Sequence, residues 1–310
     1  MPLPIILWGV AAALAATGVV KGVNASGNFD KAKSIGRRAE ANYNHACEEL
    51  ENVRKQTHKD LEKLGRLKIK VFSNQIRHLV EVIKKTKNAS SRLKDFNVEI
   101  TVDEINEYEK LVLGSLAIEQ GLGTGAVGGA LAAMGAYGAV GTLATASTGA
   151  AISGLSGAAA TNATLAWLGG GALSAGGFGM AGGMIALGGV VLGPALAIGG
   201  FIMASKAEAA LSNAYAYSAQ VDAGIVEMEI CATVLETIRT NAAEISKIIR
   251  KLAKRFDENK VDNGRNASAF GTMATLGMNL KKVLDIPIIG SDGNATANIM
   301  SQCSGLLEIT

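Results

Sequence analysis

The sequence predicts an all-α protein. Long amphipathic helices form a coiled-coil-like bundle around a central Gly/Ala-rich hydrophobic region, itself helical and membrane-inserting. Three observations predict this. Ser26–Phe96 and Lys206–Phe256 lack proline and repeat apolar or small residues every three or four positions, the period of a helix with one buried face. Between them, Gln120–Ser205 holds no Asp, Glu, Lys, Arg or His over 86 residues and carries 24 of the 38 glycines. A bilayer span needs only about 20 apolar residues. The first 20 residues are also uncharged, so all 57 charges (30 basic, 27 acidic) fall in 21–119 and 206–310. This partition excludes an ordinary soluble α/β enzyme. A hydrophobic content of 48% excludes disorder, and a net charge of +3 gives no broad phosphate footprint.

Five regions follow in chain order. Residues 1–22 form an N-terminal hydrophobic helix. Pro2 and Pro4 delay its start, Leu3 to Val20 is apolar or small, and Lys21 closes it as an interfacial anchor would. No Lys or Arg precedes Leu3, as a secretory signal would require, although Ala13-Leu14-Ala15 imitates a cleavage site. Residues 23–119 are charged and helical. Phe29, Ala32, Ala39, Tyr43, Ala46, Leu50, Val53, Leu61, Leu64, Val71, Ile76, Leu79 and Ile83 mark one stripe. A continuous helix here would run roughly 100 Å at 1.5 Å per residue, with Gly36 or Gly65 as the expected bend. A break follows at Asn97–Val102. Thr101 and Glu104 have capping-box spacing, with Asp103 as an alternative cap. A helix over about 104–120 turns Ile105, Tyr108, Leu111, Val112 and Leu116 inward.

The uncharged region, 120–205, is long enough for three or four spans. Gly121, Gly125 and Gly129 recur at steps of four, and small residues at that spacing let helices approach closely in lipid. Gly128, Gly135, Gly138 and Gly141 continue this pattern less regularly. Ala150–Leu168 is the most polar part. Trp167 before Gly169-Gly170-Gly171 suits an interfacial aromatic. Met180–Ser205 is the most apolar piece, with Val190 and Phe201 inside it and Pro194 as a kink or divider. The competing reading is a buried helical core of a soluble bundle. Against it, a soluble core helix needs a wet face, and this region offers no charged one.

Residues 206–258 are the second long helix, with Leu211, Ala214, Val221, Ile225, Met228, Leu235, Ile238, Ala242, Ile245, Ile249, Leu252 and Phe256 as its seam. Residues 259–310 are a helical tail. It holds a helix near 268–284 (Phe270, Met273, Leu276, Leu280), a loop around Pro287, and a short last helix, all expected to fold back on the bundle.

No catalytic constellation is legible, and the chain does not read as an enzyme. Gly123-x-Gly125-x-x-Gly128 and Gly177-x-Gly179-x-x-Gly182 lack the preceding strand and following acid of a dinucleotide site, so no cofactor is expected. His45, His58 and His78 sit in one polar helical block without metal spacing. Cys47, Cys231 and Cys303 form no disulfide framework. Asn24, Asn88, Asn162, Asn266 and Asn294 head Asn-x-Ser/Thr sequons, read as chance matches. Arg54–Lys94 holds 13 basic and three acidic residues. Lys247, Arg250, Lys251, Lys254 and Arg255 form a second basic cluster. Both read as solvated flanks, or as contacts for anionic lipid headgroups or an acidic partner. Nucleic acid is disfavoured, because no aromatic residues interleave for stacking.

The order of charged long helix, glycine-rich apolar region and charged long helix resembles α-helical pore-forming toxins of the cytolysin A and haemolysin BL type. Trp167–Ser205, with Val191-Leu192-Gly193-Pro194-Ala195-Leu196-Ala197, resembles the membrane segment of apolipoprotein L-like proteins. The resemblance covers residues 29–256. It implies a protein that inserts into a lipid bilayer, homo-oligomerises, and acts by pore formation or membrane disruption, as a toxin or bacterial defence effector. The alternative is a membrane-anchored scaffold whose helical seams recruit a protein partner. The uncharged region exceeds one hairpin and an apolar segment precedes the first helix. Both differences from the toxins favour residence in, or regulated insertion into, the cell's own membrane, such as a bacterial inner membrane, over secretion.

Overall fold

The computed structural model of the protein describes residues 25–96, 98–121, 131–132, 134–136, 207–290 and 294–307. Of these residues 86% are helical and none lies in a strand, consistent with the all-α class that the periodicity predicts. The N-terminal hydrophobic segment and most of the uncharged region lie outside the described residues.

Helix α1 spans Ala25–Val71. It stays helical through Gly36 and Gly65 and is not broken at either. A methyl added at Gly36 would meet nothing within 4 Å, so no neighbour forces a departure there. The regular helix gives way instead to a π turn at Phe72–Ile76, which shifts the register of the residues after it. α2 continues over Arg77–Lys85. The first true interruption is at Thr86–Asn88, where Asn88 adopts a left-handed conformation (φ 57°). Asparagine tolerates that region better than most residues, which gives this sequon residue a structural role. α3 covers Ala89–Lys94. Val98 and Ile100 are buried without regular structure. α4 covers Val102–Gly121 and begins on the expected capping box: the Thr101 amide donates to Glu104 Oε2 (2.7 Å), and the Glu104 amide donates to Thr101 Oγ1 (3.2 Å).

α5 spans Ala207–Glu258. Every seam residue named for it is buried or half-buried. The α1 stripe is also buried or half-buried, except Phe29, which is 40% exposed. α6, Ala267–Asp285, is capped by Asn266, whose side chain accepts from the Ala269 amide. The loop after it carries one bridge, Ile289 to Ala295, and α7 covers Ile299–Leu307.

The chain forms two compact units, one of Met1–Glu51 with Val190–Ile230, the other of Asn52–Gly189 with Cys231–Thr310. In the first, Ala32 packs with Ala210 and Ala214, and Ala39 packs with Tyr217 and Val221. Cys47 Sγ lies 3.9 Å from Met228 Sδ. In the second, Arg239 Nε donates to Asp60 (3.1 Å) and Gln75 to Asp257 (3.0 Å). In each unit residue numbers rise together along α1 and α5, so the two helices run parallel. A parallel pair cannot be joined by a short turn. The first part of the chain between them is visible in the second unit. Lys84 pairs with Glu109 at 2.6 Å, while Leu131 approaches Gly65 and Gly135 approaches Leu61. This part runs antiparallel to α1–α2. The tail folds back as expected: Asn279 reaches the Leu306 carbonyl and Asn241 the Thr296 carbonyl.

Candidate functional site

The polar centre of the second unit lies inside it. α1 carries Lys68 four residues after Leu64 and three before Val71, on the buried stripe itself. Its side chain is 0% exposed. The ammonium reaches two backbone carbonyls, Gly135 at 3.5 Å and Ile286 at 3.4 Å. The first belongs to the uncharged region, the second to the end of α6. Burial pulls the Lys68 pKa from 10.5 down to about 7, and the nearby Asp285 carboxylate only partly offsets this. Desolvation therefore outweighs the favourable field of Asp285 and of the α6 C-terminus.

Asp285 is the last residue of α6 and pairs with Lys281 one turn earlier. Its other oxygen, Oδ1, is buried without a hydrogen-bond partner among the described residues. Burial raises its pKa, against the lowering influence of Lys281 and Lys68. Lys281 Nζ stands 4.8 Å from the centre of the Tyr108 ring, a cation–π distance. The Tyr108 hydroxyl donates to Met278 Sδ at 3.5 Å, and burial pushes its pKa up. An amine with a pKa of about 7 is a nucleophile in principle. Here it is sealed from solvent and tied to carbonyls, so the cluster joins α1, α4, α6 and residues 131–136 rather than presenting a reactive group.

No protein-family model, characterised protein or solved structure matches this chain. What it does must be read from its own residues.

Of the glycines and apolar residues expected at membrane contacts, Gly121 is the last residue of α4. Gly125, Gly129, Trp167, Val190, Pro194 and Phe201 lie outside the described residues. The basic cluster is on the surface of α5, apart from Arg255, which is half-buried. Lys247 pairs with Glu244 (2.7 Å) and Lys254 approaches Glu258 (3.8 Å). Arg250 and Lys254 rim an open groove with Lys70, over a floor of Leu67, Val71 and Ala253. Lys251 is exposed beside them. Most of the basic run Arg54–Lys94 is a solvated flank, but Lys68 is fully buried, and Arg54 and Arg92 are half-buried, with Nε and Nη2 of Arg54 shielded from solvent.

His78 also departs from the solvated-surface reading. It is half-buried, its ring meets Phe256 edge-on, and Nε2 lies 2.8 Å from the Val261 carbonyl. None of Cys47, Cys231 and Cys303 forms a disulfide. No group of three metal-ligating side chains exists among the described residues.

Proposed function

We propose that the protein is a membrane-inserting helical protein. In this reading the charged helices form a water-facing body. The uncharged region 120–205 enters a bilayer, oligomerises through close-packing glycine faces such as Gly125 and Gly129, and permeabilises the membrane. The carrying observation is the absence of any ionisable side chain over 86 consecutive residues in a chain otherwise rich in charge. An intramembrane charge costs on the order of 3 kcal/mol, and this region contains none. The exposed Arg250, Lys251 and Lys254 supply cations suited to anionic headgroups. No helix among the described residues is long and apolar enough to cross a membrane.

The test is dye release and flotation with vesicles of phosphatidylethanolamine and phosphatidylglycerol. Release by the full-length protein, lost in Val190→Asp, supports the reading. Neither release nor flotation would sink it.

A specific observation favours a second reading, a membrane-anchored adaptor. Tyr215, Val226 and Ile230 stand 58%, 53% and 59% exposed on α5. At helical spacing they share one face, a surface suited to a protein partner. Flotation without dye release, together with a stoichiometric partner lost in Val226→Asp, would favour this reading.

A further inference from the structure

The described turns of the uncharged region meet the charged body at one contact built from three parts. The first is steric. A methyl group at Gly65 would stand 1.9 Å from the Leu131 carbonyl oxygen, and one at Gly135 would stand 2.1 Å from the Leu61 carbonyl oxygen. Both obstacles are backbone atoms, which cannot rotate away as a side chain can. Each helix therefore presents a glycine to the other's backbone, and the close approach depends on both. The second part is polar. The Gly135 carbonyl accepts from Lys68, and the Ala136 carbonyl accepts from the amides of Ile288 (2.6 Å) and Ile289 (3.2 Å). The third is apolar: Leu131, Ala132, Met134 and Ala136 are all buried.

These parts depend on one another. The glycine pair sets the distance between the backbones. That distance brings the Gly135 carbonyl within reach of Lys68, which α1 holds in place by burying its whole stem. Lys68 in turn lies between residues 131–136 and the end of α6, with the Asp285–Lys281 pair behind it. An ordinary apolar contact would need neither an internal lysine nor two facing glycines. A contact that holds an uncharged segment onto a charged body in water gains specificity from both, because a slipped register would take the Gly135 carbonyl from the buried Lys68 and leave it only that of Ile286.

We propose that the Gly65–Gly135 crossing, closed by Lys68, is a clasp that holds residues 131–136 on the helical body in water and parts before the uncharged region engages a bilayer. The docking half stands on the contacts alone. The membrane half rests on the function proposed above.

Gly65→Ala and Gly135→Ala in the full-length protein test it by sign. Alanine is the better helix former by about 1 kcal/mol, so propensity alone would slow hydrogen exchange. The clasp instead requires exchange in 131–136 to quicken roughly 10- to 100-fold, the size expected of an overpacked contact, while α6 keeps its wild-type protection. Lys68→Met, which removes the tether without a clash, should quicken the same amides by a smaller factor. Unchanged or slower exchange at 131–136 in the alanine variants would overturn the clasp. So would equal loss of protection throughout α6, because the contact would then be ordinary core and not separable.

Flotation with the same phosphatidylethanolamine–phosphatidylglycerol vesicles is the second arm. More complete flotation of the variants than of the wild type supports the whole proposal. Faster exchange with unchanged flotation would retain the docking contact and overturn its role at a membrane, whereas absence of flotation and dye release in the wild type as well would overturn the reading on which that half rests.

Discussion

The same two long helices make different interiors in the two units. In the unit of Met1–Glu51 and Val190–Ile230, alanines are prominent among the facing residues: Ala32, Ala39, Ala210 and Ala214, with Tyr217 and Val221, and with Leu50 and Met228 also buried. The far side of α5 leaves Tyr215, Val226 and Ile230 to solvent. In the other unit the seam carries Leu61, Leu64, Ile238, Ile245, Ile249, Leu252 and Phe256, all nearly or fully buried. α4, α6 and the turns at 131–136 add further layers there. An amphipathic period buries one stripe of a helix. Dryness deep enough to depress a lysine pKa requires additional elements on that stripe's flanks.

The largest expected effect tests this contrast directly. Phe256→Ala should cost about 3–5 kcal/mol in urea denaturation, from lost burial and the cavity left in a multi-sided core. Met228→Ala, in the unit where alanines face each other, should cost about 2 kcal/mol, since a seam of small residues leaves less side-chain volume packed around the gap. Equal costs would break the comparison.

Lys68 sharpens it through pH. The unfolded chain's lysine holds its proton below 10.5, while the folded one holds it only below about 7. Between those values unfolding takes up a proton, so stability rises with pH by up to about 1.4 kcal/mol per unit. Below about 7 both states are protonated and this slope vanishes. Lys68→Met should abolish the slope, as read from urea midpoints at several pH values in that window. Asp285 acts with the opposite sign in the acid range: its folded pKa is raised, so stability falls as pH rises through it. An unchanged basic-range slope in Lys68→Met would mean that Lys68 is not the group responsible.

Two smaller effects follow within the larger unit. Asn266→Ala removes the α6 cap and should lower stability by about 1 kcal/mol, visible as a shifted urea midpoint without a changed slope. Asp60→Asn weakens the bridge to Arg239, in which both side chains are 32% exposed. It should cost less than about 1 kcal/mol, and a larger loss would show that this face is drier than its exposure suggests.

Much of the helical layout was legible, because burial of a stripe follows from spacing. The α5 seam from Leu211 to Phe256 and the Thr101–Glu104 capping box could be located that way. The limits of α1 were harder to read. Gly65 looked like a bend because glycine weakens a helix, but its role is a close approach to Leu131, which depends on a segment 66 residues away. The polar centre was legible only in part. Lys68 continues the Leu61, Leu64 stripe at the correct interval, yet in a run of 13 basic residues it looked like one more solvated cation. Nothing local links it to Asp285 or Gly135.

The sequence by itself determined an all-α chain, the positions of the two long helices and the confinement of charge to their flanks. Those features follow from local periodicity and composition, and helical hydrogen bonds close within a few residues. Only the tertiary structure decided that the long helices run parallel, that the chain after α3 doubles back along them, and that Lys68 is internal. These depend on which stripes face each other and on how many layers exclude water from one amine, and neither is a property of any single segment.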